Sequence, residues 1–129
     1  MIAAATICKE WGADIINASL GGTSYNRIEE EFFRSLYHNF GILTVAASGN
    51  GGNDQNVYPA AYEGVLSVGA VDESLNMAEF STWDSSTTDV LAPGKQYDFK
   101  PMFRVRCISN VSHNSLSFRK RRCEYSKYI

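Results

Sequence analysis

The sequence predicts an α/β fold built on a mostly parallel sheet, on three observations. Apolar runs of strand length recur at residues 13–20, 42–48, 65–71 and 89–92, each closed by small or turn-forming residues. One amphipathic stretch, residues 26–40, lies between the first two runs. The links between these pieces are short. Continuous apolar runs read as strands covered on both faces, and strand, helix, strand with short links marks a right-handed crossover in a parallel sheet.

Residues 2–11 carry Ala, Ile and Trp around one Lys-Glu pair and suit a short helix with Gly12 as its C-cap. Ala13-Asp14-Ile15-Ile16-Asn17-Ala18-Ser19-Leu20 reads as a buried strand ending at Gly21-Gly22. In residues 26–40, Asn26 is placed to cap a helix, with Glu29 three residues later in a capping-box arrangement. Glu29, Glu30 and Glu31 fall where the helix dipole favours negative charge. Ile28, Phe32, Leu36 and Phe40, with Phe33 and Tyr37, form the expected apolar face, and Gly41 ends the helix. His38 falls in its last turn and is assigned no catalytic role.

Residues 42–52 come next, an apolar run breaking into Ser48-Gly49-Asn50-Gly51-Gly52. Val65-Leu66-Ser67-Val68-Gly69-Ala70-Val71 is a third buried strand, and Asp89-Val90-Leu91-Ala92 a short fourth stopped by Pro93-Gly94. In parallel sheets ligands bind beyond the carboxyl ends of the strands. The glycine-bearing loops at residues 19–22 and 48–52 are therefore expected side by side on one functional edge.

Composition narrows the function classes. No run reaches the ~18 apolar residues of a membrane helix, so no membrane partner is expected. The opening residues have no basic lead-in and no cleavage site, so no signal peptide is read there. Cys8, Cys107 and Cys123 are odd in number and widely spaced, and read as isolated thiols. No metal site and no cofactor are expected. The net charge of −2 hides a split: residues 1–94 hold three Lys/Arg against 12 Asp/Glu, and residues 95–129 hold nine against two.

Local pattern leaves Asn50 open. The loop lacks GxGxxG and GxxxxGK, and no helix follows, which speaks against a nucleotide site. A plain Asn/Gly turn accounts for the residues. So does an oxyanion site, because an Asn amide is a neutral donor that need not lose a proton.

The wider pattern resembles the subtilisin-like serine peptidases. Ile15-Ile16-Asn17-Ala18-Ser19-Leu20-Gly21-Gly22 resembles their N-x-S-L-G-G strand and loop. Gly41 to Asn50 resembles their strand ending in A-A-S-G-N. Tyr58-Pro59-Ala60-Ala61-Tyr62 with Val65 to Val71 is similar to their Y-P-A block and V-G-A-V strand. Phe80-Ser81 and Asp89 to Gly94 match the F-S and A-P-G segments that follow. The resemblance covers about residues 1–94 and implies a partial subtilisin-like three-layer fold, with residues 95–129 as an irregular basic tail outside it.

By that resemblance Asn50 is the oxyanion asparagine. Ser19, Leu20 and Gly21 form the backbone edge that pairs with an extended polypeptide substrate. Ala47, Ser48 and Gly49 form a wall of the primary specificity pocket, small enough to leave room for a large apolar side chain. The Tyr58-Pro59 bond is expected to be cis. A weak cation loop at Ala60, Tyr62 and Val65 is not adopted as a metal site.

The same resemblance predicts what the chain lacks. The family's Asp and His motifs precede the N-x-S-L-G-G strand, and the nucleophile's G-T-S-M-A should follow Ala-Pro-Gly, where residues 95–114 hold no such motif. Gly22-Thr23-Ser24 spells G-T-S on the wrong strand. The expectation is an incomplete serine endopeptidase domain, inactive as this chain, with a non-catalytic peptide-binding module as the alternative. The family is often secreted, but no location is assigned. Arg119-Lys120-Arg121-Arg122 is read as foreign to the ancestral domain, so a nucleic-acid partner is not expected. Loss of neighbouring elements should expose apolar surface and make the chain poorly soluble.

Overall fold

The computed structural model describes residues 1–84, 86–94 and 104–108. In chain order they form α1 (Ile2–Glu10), β1 (Ile15–Ser19), α2 (Arg27–Phe40), β2 (Leu43–Ala47), β3 (Val65–Val71), β4 (Val90–Pro93) and β5 (Arg104–Ile108). The sheet order is β4-β3-β2-β1-β5. The first four strands run parallel, which agrees with the parallel α/β expectation. β5 adds antiparallel to the outer side of β1. The tail expected to be irregular thus contains one regular element, Arg104–Ile108. The rest of the expected tail lies outside the described residues.

Local chemistry sets the element ends. Asn26 caps α2, its side-chain oxygen accepting from the N–H groups of Ile28 and Glu29 at 2.9 and 3.3 Å. The capping box does not close directly: the Asn26 N–H donates to the Tyr62 hydroxyl at 3.0 Å, and that hydroxyl donates on to Glu29 at 3.3 Å. Burial pushes the Tyr62 hydroxyl above its ordinary pKa, with the Glu29 carboxylate adding to the rise, so it stays protonated and able to donate. Gly41 ends α2 in the left-handed region at φ +66°, where a side chain would be strained. At α1 the left-handed residue is again glycine, Gly12, one place beyond the C-cap Trp11.

The core lies between the two helices and one face of the sheet. It joins Ala5 and Cys8 of α1, Ile16 and Ala18 of β1, Phe33 and Leu36 of α2, and Ala46 and Val65 of β2 and β3. Side chains the size of Phe33 and Leu36 contribute about 1.5–3 kcal/mol each when fully buried. The apolar stripe of α2 is narrower than expected: Ile28 is 70% exposed and Phe40 52%. A four-residue repeat gains about 40° per step on a 3.6-residue turn, so the ends of that row rotate off the buried face. Phe40 instead carries the Lys9 ammonium 3.5 Å from its ring centroid, a cation–π contact.

One expectation is overturned in the core. Cys8 is disulfide-bonded, not an isolated thiol, and is 1% exposed. Long sequence separations hid this, since bridges are set by Cα geometry in the fold and not by spacing.

The opposite face of the sheet is less covered. Asn17, Val45, Leu66 and Val68 are half-buried there, and Val90, in register with Val68, is exposed. Among the described residues no helix is long and apolar enough to cross a membrane.

Candidate functional site

β1 and β2 are direct neighbours, with Ile15 opposite Leu43 and Ala18 opposite Ala46. Their carboxyl ends therefore lie side by side, and the loops at 19–22 and 48–52 share one edge, as expected. An open cavity of about 310 Å³ lies at that edge, lined by Asn17 and Ser19 of β1, Ala47 to Asn50, and residues from the ends of β3 and β4. Of the seven site residues expected from sequence, the cavity brings together Ser19, Ala47, Ser48, Gly49 and Asn50. Leu20 and Gly21 are not on its lining. They continue the β1 edge toward Val57 and Tyr58.

The Asn50 loop is built by long-range polar contacts. Ser48 is buried, and its hydroxyl donates to the Thr82 carbonyl at 2.8 Å. The Thr82 N–H donates to the Gly49 carbonyl at 2.9 Å, and the Thr82 hydroxyl accepts from the Gly51 N–H at 3.0 Å. The Gly52 N–H donates to the Phe80 carbonyl at 2.9 Å, and the Trp83 N–H to the Asn53 carbonyl at 2.9 Å. Gly49 has φ +119° and Gly52 φ +59°, conformations that glycine adopts freely. Asn50 is exposed at the head of this frame, and its amide makes no hydrogen bond among the described residues.

The second loop is held at its far end. Gly22 and Tyr58 exchange two backbone hydrogen bonds, at 2.9 and 2.8 Å. Asn17 donates its side-chain amide to the Ser19 hydroxyl at 2.8 Å. The backbones of Leu20 and Gly21 make no hydrogen bond among the described residues. The Tyr58-Pro59 bond is cis, as expected.

Val57 was not singled out from the sequence. Its two methyl groups lie against the two glycine loops: a Cβ on Gly21 would come within 2.5 Å of one, and a Cβ on Gly49 within 2.8 Å of the other. Val57 thus sits between the two glycine loops and is not on the cavity lining. The only sequence signal was one apolar residue closing a polar stretch.

The remaining candidates stand apart. Ser24 is exposed in the loop between β1 and α2, and nothing among the described residues hydrogen-bonds its hydroxyl. His38 lies on α2 with Nε2 3.4 Å from a Glu63 carboxylate oxygen. A larger hollow of about 520 Å³ beside α2 is lined by these residues with Glu31 and Arg34. Its ion pairs are exposed, and such pairs contribute only about 0–1 kcal/mol. It is remote from the strand ends, and the smaller cavity is the better candidate.

Comparisons with known proteins give the family. A sequence model described as the subtilase family, Peptidase_S8, matches residues 1–127. The chain belongs to the subtilase family. The match runs past residue 94, where the individual motifs stop. Among curated subtilases, the chain is 43% identical to subtilisin DY of Bacillus licheniformis over 93 residues, covering 66% of this chain and 33% of that protein. It is 39% identical to thermitase of Thermoactinomyces vulgaris over 108 residues, covering 83% of this chain and 38% of that protein. The chain thus spans about a third of the length of these relatives. Among solved subtilases, it superposes on the subtilisin-like protease Apa1 of Pseudoalteromonas sp. AS-11 with a TM-score of 0.69 and 34% identity, covering 81% of this chain and 23% of that one. The PatG macrocyclase in complex with peptide superposes with a TM-score of 0.65 at 27% identity, over 79% of this chain and 30% of that one. A subtilisin-like α/β fold and a serine-peptidase family follow from these matches.

Proposed function

We propose that this chain carries the substrate edge and one oxyanion donor of a subtilisin-like serine endopeptidase domain, and that it is inactive by itself. The observation that carries the reading is the shared edge: neighbouring strands deliver Ser19, where the 19–22 loop begins, and the Asn50 loop to one cavity. In peptide-bond hydrolysis by acyl transfer, a hydroxyl adds to the carbonyl carbon and the carbonyl oxygen becomes negative. A donor held beforehand where that charge develops lowers the barrier without reorganising. The Asn50 amide stands on a loop fixed by Ser48 and Thr82, which suits that task. In subtilisin, loss of one such asparagine donor costs about 10²–10³ in turnover.

Ser19, Leu20 and Gly21 supply backbone groups to an extended peptide, and Ala47, Ser48 and Gly49 the wall beside one of its side chains. Ser24 has no base against it among the described residues, and an unassisted serine hydroxyl is a weak nucleophile at neutral pH. No nucleic acid or membrane partner enters this reading. Purified chain should leave a generic protein substrate intact and take no stoichiometric label from a fluorophosphonate probe. Stoichiometric labelling that is lost in Ser24→Ala overturns the reading.

A second reading, a non-catalytic peptide-binding module, is favoured by the open backbone of Leu20 and Gly21. It requires saturable binding of an extended peptide, weakened by a bulky replacement at Gly21 or Gly49. Absence of any such binding removes it.

A further inference from the structure

Asn50 has a chemistry that its proposed role does not use. It is the one asparagine in the chain followed by glycine. The side chains of Asn17, Asn26, Asn39 and Asn53 are each engaged in a hydrogen bond. That of Asn50 is exposed and makes none among the described residues. Gly51 is exposed as well, and it has no side chain to hold its backbone nitrogen away from the preceding carboxamide.

These are the conditions for an acyl transfer within the chain. The Gly51 nitrogen, having lost its proton, attacks the Asn50 carboxamide carbon. The new N–C bond closes a cyclic imide, the bond from that carbon to Nδ2 breaks, and ammonia leaves with the proton that Gly51 gave up. Water then adds to either ring carbonyl and opens the imide. One opening gives aspartate, the other isoaspartate, with the main chain rerouted through the side chain.

One contact opposes the first step. The Gly51 N–H donates to the Thr82 hydroxyl at 3.0 Å, and Thr82 is buried. The nitrogen that must be freed is therefore tied, by its only hydrogen, to a partner shielded from water. The loop is pinned on either side of it: the Gly49 carbonyl accepts from the Thr82 N–H, and the Gly52 N–H donates to the Phe80 carbonyl. Ring closure thus waits for a local opening at residues 50–51.

We infer that Asn50–Gly51 is a self-modification site, at which the Gly51 nitrogen turns the Asn50 amide into a carboxylate, and that the Thr82 hydroxyl is its brake. The chemistry stands on the sequence and the hydrogen bonds alone. Its functional consequence rests on the endopeptidase reading. A carboxylate only accepts hydrogen bonds, and its charge repels the oxyanion that the amide serves. On that reading the site loses its donor with age, with no other protein involved.

The test ages the full chain in mildly alkaline buffer and follows residue 50 by peptide mass and by enzymatic methylation of isoaspartate. A free peptide of residues 47–54 is the reference. Asn50 should convert in the folded chain, more slowly than in the peptide and faster than the other described asparagines. Gly51→Ala should stop detectable conversion. The nearest atoms to its Cβ belong to the exposed Asn53 side chain, which can move aside. Thr82→Val should convert about two- to tenfold faster, the effect of one net hydrogen bond. Thr82→Ser, which keeps the hydroxyl, should convert at the unaltered rate. An Asn50 that stays intact while the peptide converts overturns the proposal, as does an unchanged rate in Thr82→Val. If Thr82→Val loses exchange protection across the whole sheet, the serine variant decides, and a rate as fast as the peptide's overturns the brake. A separate readout isolates the consequence. An all-alanine peptide with a free terminal carboxylate presents an anionic oxygen, and its amidated form does not. Asn50→Asp should weaken binding of the first relative to the second. Equal binding, or none, counts against the oxyanion reading and leaves the modification site standing.

Discussion

Residues 48–52 are tied to residues 80–83 by a buried serine, a buried threonine and backbone bonds from Thr82 and Gly52, whereas Leu20 and Gly21 hang between the end of β1 and a single bridge at Gly22. Both loops follow neighbouring strands and both are rich in small residues. The difference suits their proposed tasks. A donor for a developing charge gains from being fixed in advance. A strip of backbone that pairs with a peptide must stay open until the peptide arrives.

The sharpest test of this contrast is Gly52→Ala. Gly52 sits at φ +59°, and a Cβ there would come within 2.5 Å of the Glu79 carbonyl oxygen. Left-handed strain and a backbone clash together should cost about 2–4 kcal/mol, read as a lower urea midpoint. A loss no larger than at Gly22 would break the distinction. Thr82→Val comes next. It keeps the shape but removes the acceptor for the Gly51 N–H, which should cost about 1–3 kcal/mol, with amide exchange rising at Gly51 and not at Gly22.

A smaller effect should appear in acid. The Asp84 carboxylate accepts from the Ser86 N–H and hydroxyl, both at 2.7 Å, and these bonds hold its pKa below the ordinary 3.8. A folded value below the unfolded one stabilises the chain above the unfolded pKa, and that contribution is lost as pH falls through the folded value. Protection of the Ser86 amide, measured relative to its intrinsic exchange rate, should therefore fall in that acid window, and Asp84→Asn should flatten the profile. The smallest effect is expected at Gly22→Ala. Nothing lies within 4 Å of a Cβ there, so the change should stay within about 0.5 kcal/mol. A large loss would show that the second loop is as tightly framed as the first.

How much of this was legible depends on the range of the forces involved. The four parallel strands and α2 were readable because apolar runs, the Asn26 cap and Gly41 act within a few residues. Adjacency of the two loops followed from the crossover rule, and the cis bond from the family pattern at Tyr58-Pro59. What stayed hidden acts at a distance. Thr82 looks like an ordinary polar residue until the fold sets it 31 positions away from its partner, against the Gly51 N–H. Val57 gains its place only when Gly21 and Gly49 converge on it. The Cys8 disulfide carries no local signature. Arg104–Ile108 alternates charge and apolar residues inside a basic tail, and nothing nearby indicates that β1 awaits it.

That last pairing sets a delay on the molecule's assembly. Residues that meet across β1 and β5 are separated by 85 to 93 positions. A ribosome adds roughly 5–20 residues per second, so the outer edge of β1 waits on the order of 5–20 s, after it has emerged, for its partner to be made. During that interval the nascent chain offers a bare strand to any neighbour on the same message.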